Sequence, residues 1–189
     1  MAITLPALDT DELEKLSAFP TELALQRAVP FLTRLARDPA FLDAYILPLL
    51  QEAGTVEGWY VARTFDARDG SYSLQVFVWP AGTRTQIHDH TSWGAYQCVV
   101  GSVVEERYER VDDGARPNHA RLKKVWELSW GRGDGISTLL PYDGGIHRVG
   151  NLGEETAVSV HLYGPWASSI DGRDYNPSRD YVCDRWQDD

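Results

Sequence analysis

The hydrophobic rhythm of the chain changes once, near Trp59. Before it, apolar residues recur at helical spacing. Leu13 and Leu16 follow Asp9 and Glu12, which are spaced as a capping box. After the Pro20-Thr21 break, Leu23, Leu25, Ala28, Phe31, Leu32 and Leu35 keep the same period. Pro30 within that run predicts two short helices or one kinked helix. Asp38-Pro39 has the form of an N-cap followed by proline at the first helical position. The helix it opens carries Phe41, Leu42, Tyr45, Ile46, Leu49 and Leu50 and is expected to end near Gly54.

Beyond Trp59 the period shortens to two. Strands are predicted over 59–65, 72–79, 83–90, 95–100, 102–111, 122–129, 135–140, 146–151 and 155–163. Turn residues separate them: Asp69-Gly70, Pro80-Ala81-Gly82, Gly101, Asp112-Asp113-Gly114, and the segment from Pro141 to Gly145. Many short strands at this spacing mean a β-sandwich or barrel. The whole chain, 189 residues, suits one domain. Residues 1–55 are expected as a helical layer outside the barrel, 56–165 as the barrel, and 166–189 as a tail wrapped over it.

Composition narrows the partners. A net charge of −10 opposes binding to nucleic acid or to an anionic membrane surface. No apolar run is long enough to span a bilayer, and the first residues lack a positive region followed by an apolar one, so no secretory signal is expected. With two cysteines, Cys98 and Cys183, a disulfide framework is not expected and a reducing cytoplasm is the natural compartment. Oligomeric state is left open, a homo-oligomer included. Any metal must rest on histidine.

Histidine supplies it. In Gly82-x5-His88-x-His90 the two imidazoles are two residues apart on a predicted strand, so both rings point to one side. A second segment, Gly135-x5-Pro141-x2-Gly144-x2-His147-x3-Asn151, brings a third. The two Gly-led segments resemble the motifs of the cupin superfamily, a mainly β fold built as a double-stranded β-helix, or jelly-roll barrel. That superfamily usually adds a Glu four or five residues after the second His; Gly94 and Ala95 stand there. Three neutral imidazoles leave a divalent metal its full charge and several open positions. A closed structural zinc site wants four protein ligands, so a catalytic site is favoured. His119 lies in a polar stretch and is expected to be solvated.

The last predicted strand alternates polar and apolar side chains. Ser159, His161 and Tyr163 share one face, and Val158, Val160 and Leu162 the other. Polar groups pointing into a core are costly unless bonded to each other, and a Ser–His–Tyr relay satisfies them. His-Asp-His-Thr, His147-Arg-Val-x-Asn151 and Ser159-x-His161-x-Tyr163 together resemble the cysteine dioxygenase family of thiol dioxygenases, over roughly residues 59–165. The resemblance implies Fe(2+) held by His88, His90 and His147, with Ser159, His161 and Tyr163 as an outer relay. It implies a small thiol, mercaptopropionate or cysteine, converted with O2 to the sulfinic acid.

Animal members carry a cysteine five residues after the second His, cross-linked to the active-site Tyr. Ala95 takes that place here, which resembles the uncross-linked bacterial branch similar to mercaptopropionate dioxygenase. Cys98 is expected to be a buried, inert thiol. A thiol acid needs a guanidinium. Arg63 matches one family anchor if the turn takes a gap, and Arg173 lies near the position of another; both stay open. Trp79 and Trp93 are placed either on the cavity wall or in the core. The alternatives are a three-His cupin that cleaves C–C bonds of a diketone or flavonol, and a non-catalytic small-molecule-binding cupin.

Overall fold

The computed structural model describes residues 10–52 and 57–184. Asp9 and Gly54 lie outside the described residues. Helix α1 is Thr10–Leu16 and α2 is Thr21–Leu35. Pro30 sits inside α2 without ending it. It lies on the exposed side, where the carbonyl that loses its donor can be hydrated. Asp38 caps α3, Pro39–Phe41, its side chain accepting from the amides of Ala40 and Phe41. The helix then widens to a π turn over Leu42–Ile46 before α4, Leu47–Glu52. None of the described helices is long and apolar enough to cross a membrane.

Eleven strands follow among the described residues: β1 Tyr60–Asp66, β2 Ser73–Trp79, β3 Ile87–His90, β4 Gly94–Val100, β5 Ser102–Arg110, β6 Leu122–Gly131, β7 Ser137–Leu139, β8 His147–Gly150, β9 Ala157–Tyr163, β10 Asp171–Asn176 and β11 Tyr181–Asp184. They form two antiparallel sheets ordered β1-β2-β9-β4-β7 and β11-β10-β3-β8-β5-β6. From β2 to β5 and again from β6 to β10 consecutive strands alternate between the sheets, which is the winding of a cupin double-stranded β-helix.

Two expectations change. The predicted strand over 83–90 is shorter: Gly82 turns at φ +75°, Arg84 makes an isolated bridge to Gly150, and regular pairing starts at Ile87. The tail does not merely wrap. It supplies β10 and β11, and β10 pairs with β3, the strand of His88 and His90.

The inner strands of the five-stranded sheet, β2, β9 and β4, are buried on both faces. Val158, Val160 and Leu162 of β9 pack with Leu13, Leu16, Phe31 and Leu32 from the helices. This is why every residue of β9 is buried although alternate ones are polar. The opposite face, with Phe77, Trp79, Tyr96 and Tyr163, looks into the barrel. Trp93 belongs to the helical side.

Candidate metal centre

β3 and β8 run antiparallel with His88 directly opposite His147. The period of two puts His90 on the same face as His88, and their ring centroids are 4.8 Å apart. One ligand atom from each of His88, His90 and His147 falls within 4.8 Å of the others, and all three residues are buried. The Nε2 atoms of His90 and His147 are 3.2 Å apart.

Hydrogen bonds on the outer ring nitrogens set the tautomers. His88 Nδ1 donates to the Gln86 carbonyl at 2.9 Å, and His147 Nδ1 donates to Glu105 Oε1 at 2.9 Å. Both rings therefore present a bare Nε2 lone pair to the cavity, as a metal ligand must. Burial, reinforced by His88, Arg107 and His161, holds His147 well below the ordinary imidazole range, so it is neutral. His90 Nδ1 lies 4.0 Å from Asp171 Oδ1. The donor set fits a divalent transition metal held by three imidazoles.

The carboxylate behind His147 is one that sequence reasoning missed. Glu105 is fully buried, accepts from Ser137 Oγ at 2.7 Å, and has Arg107 Nε at 2.6 Å. Burial raises its pKa, with Arg107 opposing. Val103, Glu105 and Arg107 alternate along β5, so a charged residue at an inward position was the available signal.

Asp89, between the two histidines, faces away from the cavity. It is fully buried and accepts from the Arg173 backbone amide at 2.7 Å, from Arg173 Nε at 2.8 Å and Nη2 at 2.6 Å, and from Tyr175 Oη at 2.7 Å. Arg173 Nη2 also reaches Asp143 Oδ1 at 2.6 Å. Gly172 makes room for this clamp, because a Cβ there would lie 2.1 Å from Asp89 Oδ1.

On the facing sheet, Ser159 Oγ and His161 Nε2 are 2.7 Å apart, and His161 Nδ1 and Tyr163 Oη 3.2 Å. Trp79 Nε1 donates to Ser159 Oγ at 2.8 Å. An indole nitrogen only donates, so Ser159 Oγ accepts from Trp79, and its own hydroxyl has His161 Nε2 at hydrogen-bond distance. His161 Nδ1 pairs in turn with Tyr163 Oη, and Tyr163 lines the cavity. The His161 ring lies between Tyr96, stacked at 4.5 Å, and Phe77 at 4.3 Å. Burial, with His88 adding to it, pulls its pKa down to about 3, so the relay is neutral.

The β4–β9 register sets Gly94, not Ala95, opposite Tyr163. A Cβ at Gly94 would lie 3.2 Å from two carbons of the Tyr163 ring, so the bare glycine is what admits the phenol. Counting from His90 chose Ala95, which pairs with Leu162 instead. Cys98 is buried, its thiol directed at the carbonyls of Val100 and Gly101, and burial pushes its pKa up to about 11.

The three histidines, His161 and Tyr163 open onto one cavity of about 280 Å³, whose walls include Trp59, Phe77, Trp79 and Trp166. Trp79 thus both lines the cavity and drives the relay. Neither expected anchor reaches it. At the bulge between Val61 and Arg63, Val61 borders the cavity while remaining exposed, and Arg63 pairs with Val76 and is exposed on the Ala62 carbonyl. Arg173 is held in the Asp89 clamp. His119 is partly exposed, 3.5 Å from Asp112.

Among solved structures, the chain is similar to an uncharacterized conserved protein with a double-stranded β-helix domain from Klebsiella pneumoniae. The two share 15% identity and a TM-score of 0.46, over 65% of this chain and 89% of that one. It is also similar to an RmlC-like cupin family protein from Methanocaldococcus jannaschii, with 11% identity, a TM-score of 0.42 and 59% and 84% covered. A Cupin 2 conserved barrel domain protein from Salinispora arenicola matches at 17% identity and a TM-score of 0.38, over 58% and 75%. The model of cysteine dioxygenase type I matches residues 57–176, well over half of the 189 residues. That stretch takes in both histidine-bearing segments and the strand of the relay, and on it the chain belongs to the cysteine dioxygenase type I family.

Proposed function

We propose that the protein is an iron-dependent thiol dioxygenase that adds both atoms of O2 to the sulfur of a small thiol and yields the sulfinic acid. The observation that carries this is the pairing, across one small cavity, of a carboxylate-free three-imidazole face with a tyrosine whose hydroxyl is held by the buried His161. Atoms balance without a further reductant: the thiol gains two oxygens and keeps its proton as sulfinic acid.

His88, His90 and His147 would hold Fe(2+). Bound there, the metal would acidify the thiol and supply the centre at which thiol and O2 react. Glu105 and the Gln86 carbonyl fix the ligand rings, so their lone pairs are set before substrate arrives. Tyr163 donates to an oxygen of the reacting group, and Trp79, Ser159 and His161 keep that proton pointed at it. The aromatic walls keep bulk water from the sulfur. Gly94 beside Tyr163 supports the uncross-linked, bacterial-type site. Ferrous iron and a free thiol suit the cytoplasm. The resemblance points to mercaptopropionate or cysteine as substrate; among the described residues neither Arg63 nor Arg173 lines the cavity.

Iron-loaded protein in an oxygen electrode should consume O2 with a small thiol and not with a diketone. Tyr163→Phe should keep its iron and lose roughly ten- to a hundredfold in kcat. Absence of uptake with every thiol tried removes the proposal, and full activity in Tyr163→Phe removes the role of the phenol.

A further inference from the structure

Behind His147, the side chains of Arg107, Ser137 and Glu105 close a ring of contacts. Arg107 Nη2 donates to Ser137 Oγ and to the Thr138 carbonyl, both at 2.7 Å, and Arg107 Nε lies 2.6 Å from Glu105 Oε1. Ser137 Oγ donates to Glu105 Oε2 at 2.7 Å, while Oε1 also accepts from His147 Nδ1 at 2.9 Å. Glu105, Ser137 and His147 are buried, and Arg107 is half-buried. Glu105 and Arg107 belong to β5, which pairs with the His147 strand β8; Ser137 and Thr138 belong to β7, in the other sheet. The guanidinium therefore spans the two sheets, and the carboxylate behind His147 is located from both of them. Neither Arg107 nor Ser137 is among the described residues that line the cavity.

We infer that Arg107 and Ser137 are positioning residues for the metal, acting through Glu105 on His147. The inference rests on the three-histidine centre of the proposed enzyme and not on the identity of its thiol. His88 rests its outer nitrogen on a backbone carbonyl, that of Gln86, which the chain around it holds in place. His147 rests its outer nitrogen on a side chain. A side-chain acceptor can rotate away from the imidazole unless it has supports of its own. Arg107 and Ser137 supply them, one on each carboxylate oxygen. The orientation of the His147 ring, and with it the direction of its Nε2 lone pair, then depends on two residues that never meet the metal. Because both act through one carboxylate, removing a support and removing the carboxylate should not add.

The test is a double-mutant cycle read on cobalt(II). Its affinity is measured by competition with a chelator, and the d–d absorption bands of the bound ion report the ligand geometry. Arg107→Ala should weaken cobalt binding roughly tenfold and shift the bands, and Ser137→Ala should do the same several-fold. In a Glu105→Gln background, which keeps the size of the side chain and loses the carboxylate, neither change should cause a further loss. Ser137→Ala removes a single oxygen, so it carries the cycle where Arg107→Ala fails to fold. Affinity and bands unmoved in the single variants, or losses that add in full to that of Glu105→Gln, overturn the inference and leave the ring a role in the fold alone. A parent protein that takes up no cobalt overturns it together with the metal centre. Oxygen uptake by the iron-loaded parent is scored separately. If no thiol supports it, the dioxygenase reading fails and the cobalt cycle still decides the roles of Arg107 and Ser137.

Discussion

Trp79 donates its one indole proton to Ser159, at the end of the relay away from Tyr163. Trp79→Phe keeps an aromatic wall but frees Ser159 to reverse its hydrogen bond. It should lower kcat about tenfold with iron content unchanged, measured by oxygen uptake beside metal analysis. His161 adds a pH signature. Its pKa falls from an ordinary imidazole value near 6.5 to about 3 in the folded protein, so the unfolded chain binds the extra proton between those values. Stability from this group is complete above about pH 6.5 and is lost as the pH falls toward 3. Denaturant unfolding of the metal-free protein should show a shallower acid loss in His161→Gln than in the parent; equal slopes would contradict a buried neutral imidazole. The residues of the relay were legible because a period of two writes them on one strand. Trp79 and Glu105 were not recognised as partners, because their roles depend on strands distant in sequence that meet only in the fold.

At the scale of elements, the β3–β10 pair explains why Arg173 is held on Asp89 and does not line the cavity. β10 brings Arg173 across a buried Asp89, and the fork grips that carboxylate with two nitrogens. Removing the arginine leaves a buried charge with only its hydroxyl and amide donors. Arg173→Ala should therefore cost about 3 kcal/mol in denaturant unfolding. A substrate anchor would instead raise KM at unchanged stability. Arg63→Ala, on an exposed strand position, should change stability by less than about 0.5 kcal/mol and leave KM within error. The strands from β1 to β9 could be read from alternation and turn residues. β10 and β11 could not, since Asp-Gly-Arg-Asp-Tyr-Asn carries few of the residues that favour strands; a histidine-bearing neighbour with an open edge holds it in place. α2 survives Pro30 for the converse reason, because its apolar face is pinned on the barrel.

For the whole molecule, the barrel brings two histidine segments far apart in sequence to one face and the relay to the opposite one. The three imidazoles and Ser159, His161 and Tyr163 could be named from sequence, but the make-up of the cavity's rim could not. That depends on a bulge at Ala62 and on where two loops end. Metal binds the folded barrel and not the open chain, so chelation should lower the melting temperature, and His88→Ala should abolish that difference along with iron uptake. The fate of O2 decides whether the protein is a thiol dioxygenase. Turnover of a small thiol under 18O2 by the iron-loaded enzyme, read by mass spectrometry, should give a sulfinate with both oxygens labelled. A product carrying one label or none, or a disulfide in its place, would contradict it.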